Sequence, residues 1–279
     1  MKKILFPTDF SPLSLNAFSY ALHFAKSSNA EIIILHVYDL PIITATSIEA
    51  PIYLNEMFEE IDLSYLESFK NKITILKNEG EKIQFDSKKI SSLLIKGDLI
   101  STILNTIKRE DINYVVMGTS GASGVKEWVF GSTTATIMES TSAIVLGIPE
   151  NTKFMPIKQI AFATNFTKQS RKALKKVIKL AKIFDAKISC IYVKTKKSKI
   201  NYLTIATWKM FFKKEAIDYY ILKNNAVENT IINFINHNDV NMLAVLNTKH
   251  DFFNGLFHKN LPKKLAYHLK APLLTLHSN

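Results

Sequence analysis

The same pattern occurs twice in this chain, and that repetition limits its fold more than any other feature. KILFPTDFSPLSLNAFSYALHFAKSSNAEIIILHVY, from Lys3 to Tyr38, aligns without a gap on QIAFATNFTKQSRKALKKVIKLAKIFDAKISCIYVK, from Gln159 to Lys194. Phe6 meets Phe162, Asp9 meets Asn165, Phe10 meets Phe166 and Val37 meets Val193. DINYVVMG (Asp111 to Gly118) then aligns on DVNMLAVL (Asp239 to Leu246), and SAIVLGI from Ser142 on KAPLLTL from Lys270. Such self-similarity marks a structural unit used more than once. The junction falls near Glu150 to Met155, which divides the chain into residues 1–150 and 151–279.

Within each copy, apolar β-branched runs alternate with segments of helical period. Ile4 to Phe6 is a short strand, and Ser11-Pro12 signals a helix start with Ser11 as N-cap. Phe18, Leu22 and Ala25 follow at helical spacing, as do Leu174, Ile178 and Ala181 in the second copy. EIIILHVY is apolar almost throughout, as expected of a strand covered on both faces. Further strands are expected at Ser92–Asp98, Asn113–Thr119 and Ser142–Pro149, with helices over Tyr53–Lys77, Leu99–Lys108 and Ser132–Ser140. The expected fold is therefore α/β: two tandem open five-stranded parallel sheets with helices on both faces, Rossmann-like. The excursion from Asp39 to Ser91 has no clear counterpart in the second copy.

One segment carries the chemistry. GTSGASGVKEWVFGSTT, Gly118 to Thr134, leaves the end of a strand and holds four of the eight glycines. In an open parallel sheet, ligands bind beyond the carboxyl ends of the strands, where the strand order reverses. Gly118, Gly121 and Gly124 can bring backbone N–H groups together on an anion. Gly131, Ser132 and Thr133 stand at a helix N-terminus, with unpaired N–H donors and two hydroxyls. No Gly-Lys-Ser/Thr follows, so this is not a Walker A loop. Asp9 and Val37 end two other strands on the same side, Asp9 as an acceptor for ribose hydroxyls or an amine, Val37 through its main chain to a purine edge. The bland alternative is a glycine-rich surface turn.

PTDFS at Pro7 to Ser11, LHV at Leu35 to Val37, and the glycine pattern through Gly118, Gly121, Gly131 and Ser132 together resemble the universal stress protein (UspA-like) family. The resemblance covers both copies and implies a fold of the adenine nucleotide alpha hydrolase type. It also implies a site for ATP, or for ADP or AMP, with Mg²⁺ as an accompanying ion. Residues matching Asp9 and Val37 would hold the adenosine portion, and Pro7 and Thr8 belong to the same binding set. Those matching Met117, Gly118, Thr119, Gly121 and Gly124 would reach the ribose and phosphates, and Gly131, Ser132 and Thr133 would bind the phosphates. No general base stands beside the motif, so the expected role in the stress response is sensing or regulation through nucleotide occupancy. Slow ATP hydrolysis and a nucleotide-free interaction scaffold are the rival readings.

The second copy departs from the pattern. Asn165 replaces Asp9, Leu246 replaces Gly118, Lys249 replaces Gly121, and Lys259 and Asn260 replace Gly131 and Ser132. Restored Cβ atoms obstruct an anion's approach, so residues 151–279 are expected to keep the fold without the nucleotide site. Charge separates the copies as well. Residues 1–150 carry 13 Lys and Arg against 18 Asp and Glu, whereas residues 151–279 carry 23 against 6. Arg171–Lys182, Lys196–Lys199 and Lys259–Lys270 are basic runs suited to nucleic acid, anionic lipid or an acidic protein, or to a solvated face. No nucleic-acid motif accompanies them, and nucleic acid is not an expected partner. By analogy with the family, the strands SAIVLGI and KAPLLTL would pair within the chain; a homodimer and a further protein partner are additional expectations. Asp9 ends the N-terminal apolar run too early for a signal peptide, and no stretch is long and apolar enough to span a membrane. Cys190 has no second cysteine to pair with. These features point to a cytoplasmic protein. The seven histidines show no metal-ligand spacing, and no metal site is expected.

Overall fold

The computed structural model describes residues 1–39, 50–119, 132–150, 152–196, 198, 202–247 and 271–277, with only the backbone over 50–59. Among them, the first copy runs β1 (Lys3–Pro7), α1 (Pro12–Ser28), β2 (Glu31–Tyr38), α2 (Ala50–Lys82), a 3-10 turn at Ser87–Lys89, β3 (Ile90–Lys96), α3 (Leu99–Arg109), β4 (Tyr114–Gly118), α4 (Ser132–Ser140) and β5 (Ile144–Ile148). The second runs β6 (Gln159–Ala163), α5 (Lys168–Phe184), β7 (Lys187–Lys194), α6 (Tyr202–Phe211), β8 (Ile217–Lys223), α7 (Val227–His237), β9 (Met242–Asn247) and β10 (Leu273–His277).

The ten described strands form one sheet in the order β3-β2-β1-β4-β5-β10-β9-β6-β7-β8. Each half is parallel and has the same internal order. The halves meet where β5 and β10 run antiparallel, with Leu274 opposite Leu146 and Thr275 opposite Val145. These are the two strands expected to pair within the chain. They are apolar and almost fully buried, Val145 and Leu274 at 0 % exposure, so neither could be left as an open edge without inviting aggregation. Two tandem sheets are thus joined into one.

The helix starts follow local chemistry. Ser11 caps α1 by accepting the Ser14 N–H, with Pro12 in the first turn, and Thr167 caps α5 by accepting the Ser170 N–H. Both helices end on a left-handed residue, Asn29 at φ 49° and Asp185 at φ 52°, whose N–H closes on the carbonyl of Ala25 or Ala181. Asp98 proves to be the N-cap of α3, accepting the Ser101 N–H at 2.9 Å, and that bond holds its carboxyl below the usual carboxylate range.

Two apolar clusters lie on opposite faces of the sheet. One packs α1, α2, α5 and α6 around Phe6, Phe18, Phe162 and Trp208; the other packs α3, α4 and α7 around Leu5, Ile103, Ile137 and Val245. Each fully buried Phe, Leu or Ile contributes about 1.5–3 kcal/mol. The excursion after β2 does have a counterpart: α6, of 10 residues, takes the place that the 33-residue α2 occupies in the first copy. Alignment misses it because the two helices share a position on the sheet but neither length nor sequence.

Candidate functional site

The strand order reverses at β1, which pairs with β2 on one side and β4 on the other. Pro7 is the last residue of β1 and Gly118 the last of β4. Just beyond Pro7 the chain leaves the sheet in a tight turn. The Thr8 N–H donates to the Leu35 carbonyl at 2.9 Å. The Thr8 hydroxyl is buried, accepts the Phe10 N–H at 2.9 Å and shares a hydrogen bond with the Ser14 hydroxyl. Phe10 takes φ 60°, left-handed for a non-glycine residue, and the Thr8 bond is what holds it there. This geometry turns Asp9 out into solvent, where one carboxylate oxygen accepts the Ser11 N–H at 3.0 Å.

Val37 is placed by strand alternation. The Leu35 carbonyl points toward β1, because it accepts from Thr8. The Tyr38 carbonyl points the other way, accepting from Gly97 at 3.0 Å on the β3 side. Val37 shares its direction with Leu35, so its main-chain N–H and C=O face the space beyond the end of β1. That is the space bordered by Asp9.

On the other side of β1, Met117 is buried and Thr119 is fastened, its N–H and hydroxyl both reaching the Ile148 carbonyl at 3.0 and 3.3 Å. The Thr134 hydroxyl donates to the Gly118 carbonyl at 2.8 Å, which ties the first turn of α4 to the end of β4. Ser132 is exposed and Thr133 half-buried at that helix N-terminus, where the leading N–H groups have no intrahelical acceptor. The structure thus brings Pro7, Thr8, Asp9, Val37, Met117, Gly118, Thr119, Ser132 and Thr133 to one end of the first half. Gly121, Gly124 and Gly131 lie outside the described residues.

Gly118 has a packing reason to be glycine. A Cβ there would stand 3.2 Å from Leu13 Cγ in the first turn of α1. Close approach of α1, rather than a left-handed backbone, is what the structure requires at this position. In the second copy the partners change together: Leu246 stands for Gly118 and Gln169 for Leu13. The β6 turn keeps its form, with the Thr164 hydroxyl accepting the Phe166 N–H at 3.0 Å and Phe166 at φ 56°, but it presents Asn165 instead of a carboxylate. Asn247, in the position of Thr119, donates to the Met138 carbonyl at 2.8 Å and so links the halves.

Three residues within or beside the motifs make contacts that the motifs do not assign. His36 Nδ1 lies 2.8 Å from the Thr8 carbonyl, and its ring packs on Phe10 with centroids 5.0 Å apart. Ser14 and Thr134 fix the turn and the helix start. Only the hydroxyl two residues after Ser132 could have been flagged from sequence; the other contacts are set by how the chain returns on itself.

Cys190 is fully buried in β7, and burial pushes its thiol well above the usual range, which suits a packing role. Among the described residues, no three His, Cys, Asp or Glu side chains are grouped to hold a metal ion.

Known proteins agree with this architecture. Residues 1–149 match the Universal stress protein family. Universal stress protein YxiE of Bacillus subtilis is 32% identical over 144 residues, covering 52% of this chain and 96% of that protein. Universal stress protein MJ0577 of Methanocaldococcus jannaschii is 29% identical over 153 residues, covering 52% of this chain and 93% of its own length. Both halves together superpose on a universal stress protein from Archaeoglobus fulgidus with a TM-score of 0.72, at 17% identity, covering 99% of this chain and 98% of the other; that likeness concerns the fold. With the matched family spanning more than half its length, the chain belongs to the universal stress protein family.

Proposed function

We propose that residues 1–150 bind ATP or a related adenine nucleotide at the C-terminal end of β1, β2 and β4. Occupancy of that site would serve as a sensing or regulatory signal in the stress response. The observation that carries this reading is the Val37 main chain facing the gap beyond β1, with exposed Asp9 beside it and the N-terminus of α4 tied to the end of β4. A purine edge suits the Val37 N–H and C=O, ribose hydroxyls suit Asp9, and phosphates suit the Ser132 and Thr133 N–H and hydroxyl donors. Pro7, Thr8, Met117, Gly118 and Thr119 frame the crevice, and Gly121, Gly124 and Gly131 would complete the phosphate cradle. Mg²⁺ would accompany the phosphates. Residues 151–279, with Asn165, Leu246 and the Asn247 link to Met138, would support the first half without binding nucleotide.

Mass spectrometry of small molecules released from the denatured, freshly purified protein should find an adenine nucleotide. Calorimetry with ATP and Mg²⁺ should give one site per chain. Asp9→Ala removes a charged acceptor and should weaken binding roughly ten- to hundredfold, and Gly121→Val should abolish co-purification while circular dichroism stays unchanged. Absence of heat and of released nucleotide would sink the proposal, as would two sites per chain for the assignment to one half.

A further inference from the structure

The outward face of α5 is not explained by the fold. α1 and α5 occupy equivalent positions and bury equivalent residues, Ala17 and Ala173, Phe18 and Leu174, Ala25 and Ala181. Outside, Asn16, Ser19 and His23 of α1 are replaced by Lys172, Lys175 and Lys179. In α1 these positions are half-buried, with Asn16 and His23 packed on the Thr152–Phe154 segment, whereas the three lysines of α5 are exposed and the fold does not require them. Among the described residues, Lys172, Lys175 and Lys179 have no carboxylate within ion-pair distance; of this row only Lys182 is paired, with Glu215 at 2.9 Å.

Beside that row, α6 is apolar on two sides. Ile205 and Trp208 face inward and are buried, whereas Met210 is 70% exposed and Phe211 56%. Large apolar side chains exposed together in this way mark an interaction surface. Exposed Met210 and Phe211 and buried Ile178 and Phe212 line a depression between α5 and α6, together with Lys213, Lys214 and Glu215, the last of these paired with Lys182. The exposed apolar groups therefore share this surface with lysines of both elements.

We propose that this face of the second half docks on an anionic lipid bilayer. Protruding apolar side chains enter the headgroup boundary, and flanking lysines meet anionic headgroups; such paired signals give stable peripheral attachment where either alone is marginal. No described helix is long and apolar enough to cross a membrane, so the attachment is at the surface. A single-stranded nucleic acid fits less well. Trp208 is buried, and Phe211 has the Arg171 guanidinium 5.4 Å and Lys175 Nζ 5.3 Å from its ring centroid, contacts that a stacking base would have to displace.

The test is flotation of the full chain with vesicles of phosphatidylcholine alone or of an equimolar mixture with phosphatidylglycerol, over a range of salt. The chain should float only with the mixed vesicles. Lys172→Gln/Lys175→Gln/Lys179→Gln should lower partitioning roughly a hundredfold. Met210→Ser/Phe211→Ser should lower it about tenfold, with a loss that salt does not change. Circular dichroism melting checks the fold of each variant, and the lipid and salt comparisons on the unaltered chain stand even where a variant misfolds. Failure to float, equal flotation with neutral vesicles, or insensitivity to the Met210/Phe211 change would overturn the proposal. So would retention on a single-stranded oligonucleotide or an acidic peptide by a chain that leaves mixed vesicles unbound.

Discussion

Thr8 holds more of the candidate site in shape than any charged residue does. Its hydroxyl accepts the Phe10 N–H and pairs with Ser14, its N–H joins β2, and its carbonyl meets His36. Thr8→Val keeps the shape of the side chain but leaves the Phe10 N–H and the Ser14 hydroxyl without their partner. Orphaned buried groups of this kind cost about 1–3 kcal/mol, so the urea midpoint should fall with an unchanged slope. Because Phe10 is already left-handed, loosening it should also release Asp9 from its outward position. Nucleotide affinity would then drop together with stability, whereas Asp9→Ala should reduce affinity with little change in the midpoint.

Among elements, the contact between β4 and α1 is the tightest constraint on the site. Gly118→Leu installs the residue found at this position in the second copy, but against Leu13 instead of Gln169. Overpacking there should cost about 1–3 kcal/mol, and Leu13→Ala in the same chain should recover part of it. A double-mutant cycle by denaturant melting would show coupling of about 1 kcal/mol; strict additivity would mean the two do not share space. This partnership illustrates what could not be read from sequence. The start of α1 at Ser11-Pro12, the span of α4 and the alternation of strands and helices were legible, because caps and apolar period are local signals. Gly118 was recognisable as special, but its reason lies in Leu13, brought close only by folding. The expected strand Ser92–Asp98 ends two residues early, at Lys96, and Asp98 caps α3 instead; in sequence an N-cap carboxylate and one at a strand end look alike until the Ser101 N–H is seen beneath it. Helix α2 begins at Ala50, ahead of the expected Tyr53, and α6 was not anticipated at all, for its outward apolar face gives no clean helical period.

At the scale of the whole molecule, the halves are joined by more than the sheet. The segment after β5 runs along α1: Asn16 donates to the Thr152 carbonyl at 2.9 Å, Tyr20 to that of Lys153 at 2.8 Å, and the His23 ring stacks on Phe154 at 3.7 Å. At the far end of β10, the His277 carbonyl accepts from Lys176 at 2.8 Å. Burial, then the charge of Lys26, lowers the pKa of His23; burial, then Lys176, lowers that of His277. In both, the folded value lies below the unfolded one, so the unfolded chain takes up protons first as pH falls. The stabilisation is complete above the ordinary histidine value and is lost as pH drops through it toward the folded values. Melting temperature should therefore decline as the buffer is taken from about pH 8 to about pH 5, and His23→Phe should flatten that decline. A flat profile in the unaltered chain would refute the assignment. The antiparallel seam between β5 and β10 has a last consequence. Since one polypeptide supplies both lobes, each molecule is synthesised with its mate in one-to-one stoichiometry, and dilution cannot part them. A substitution enters such an assembly once instead of twice, so the exterior of one lobe can drift while its twin is held constant, a freedom that two identical chains do not have.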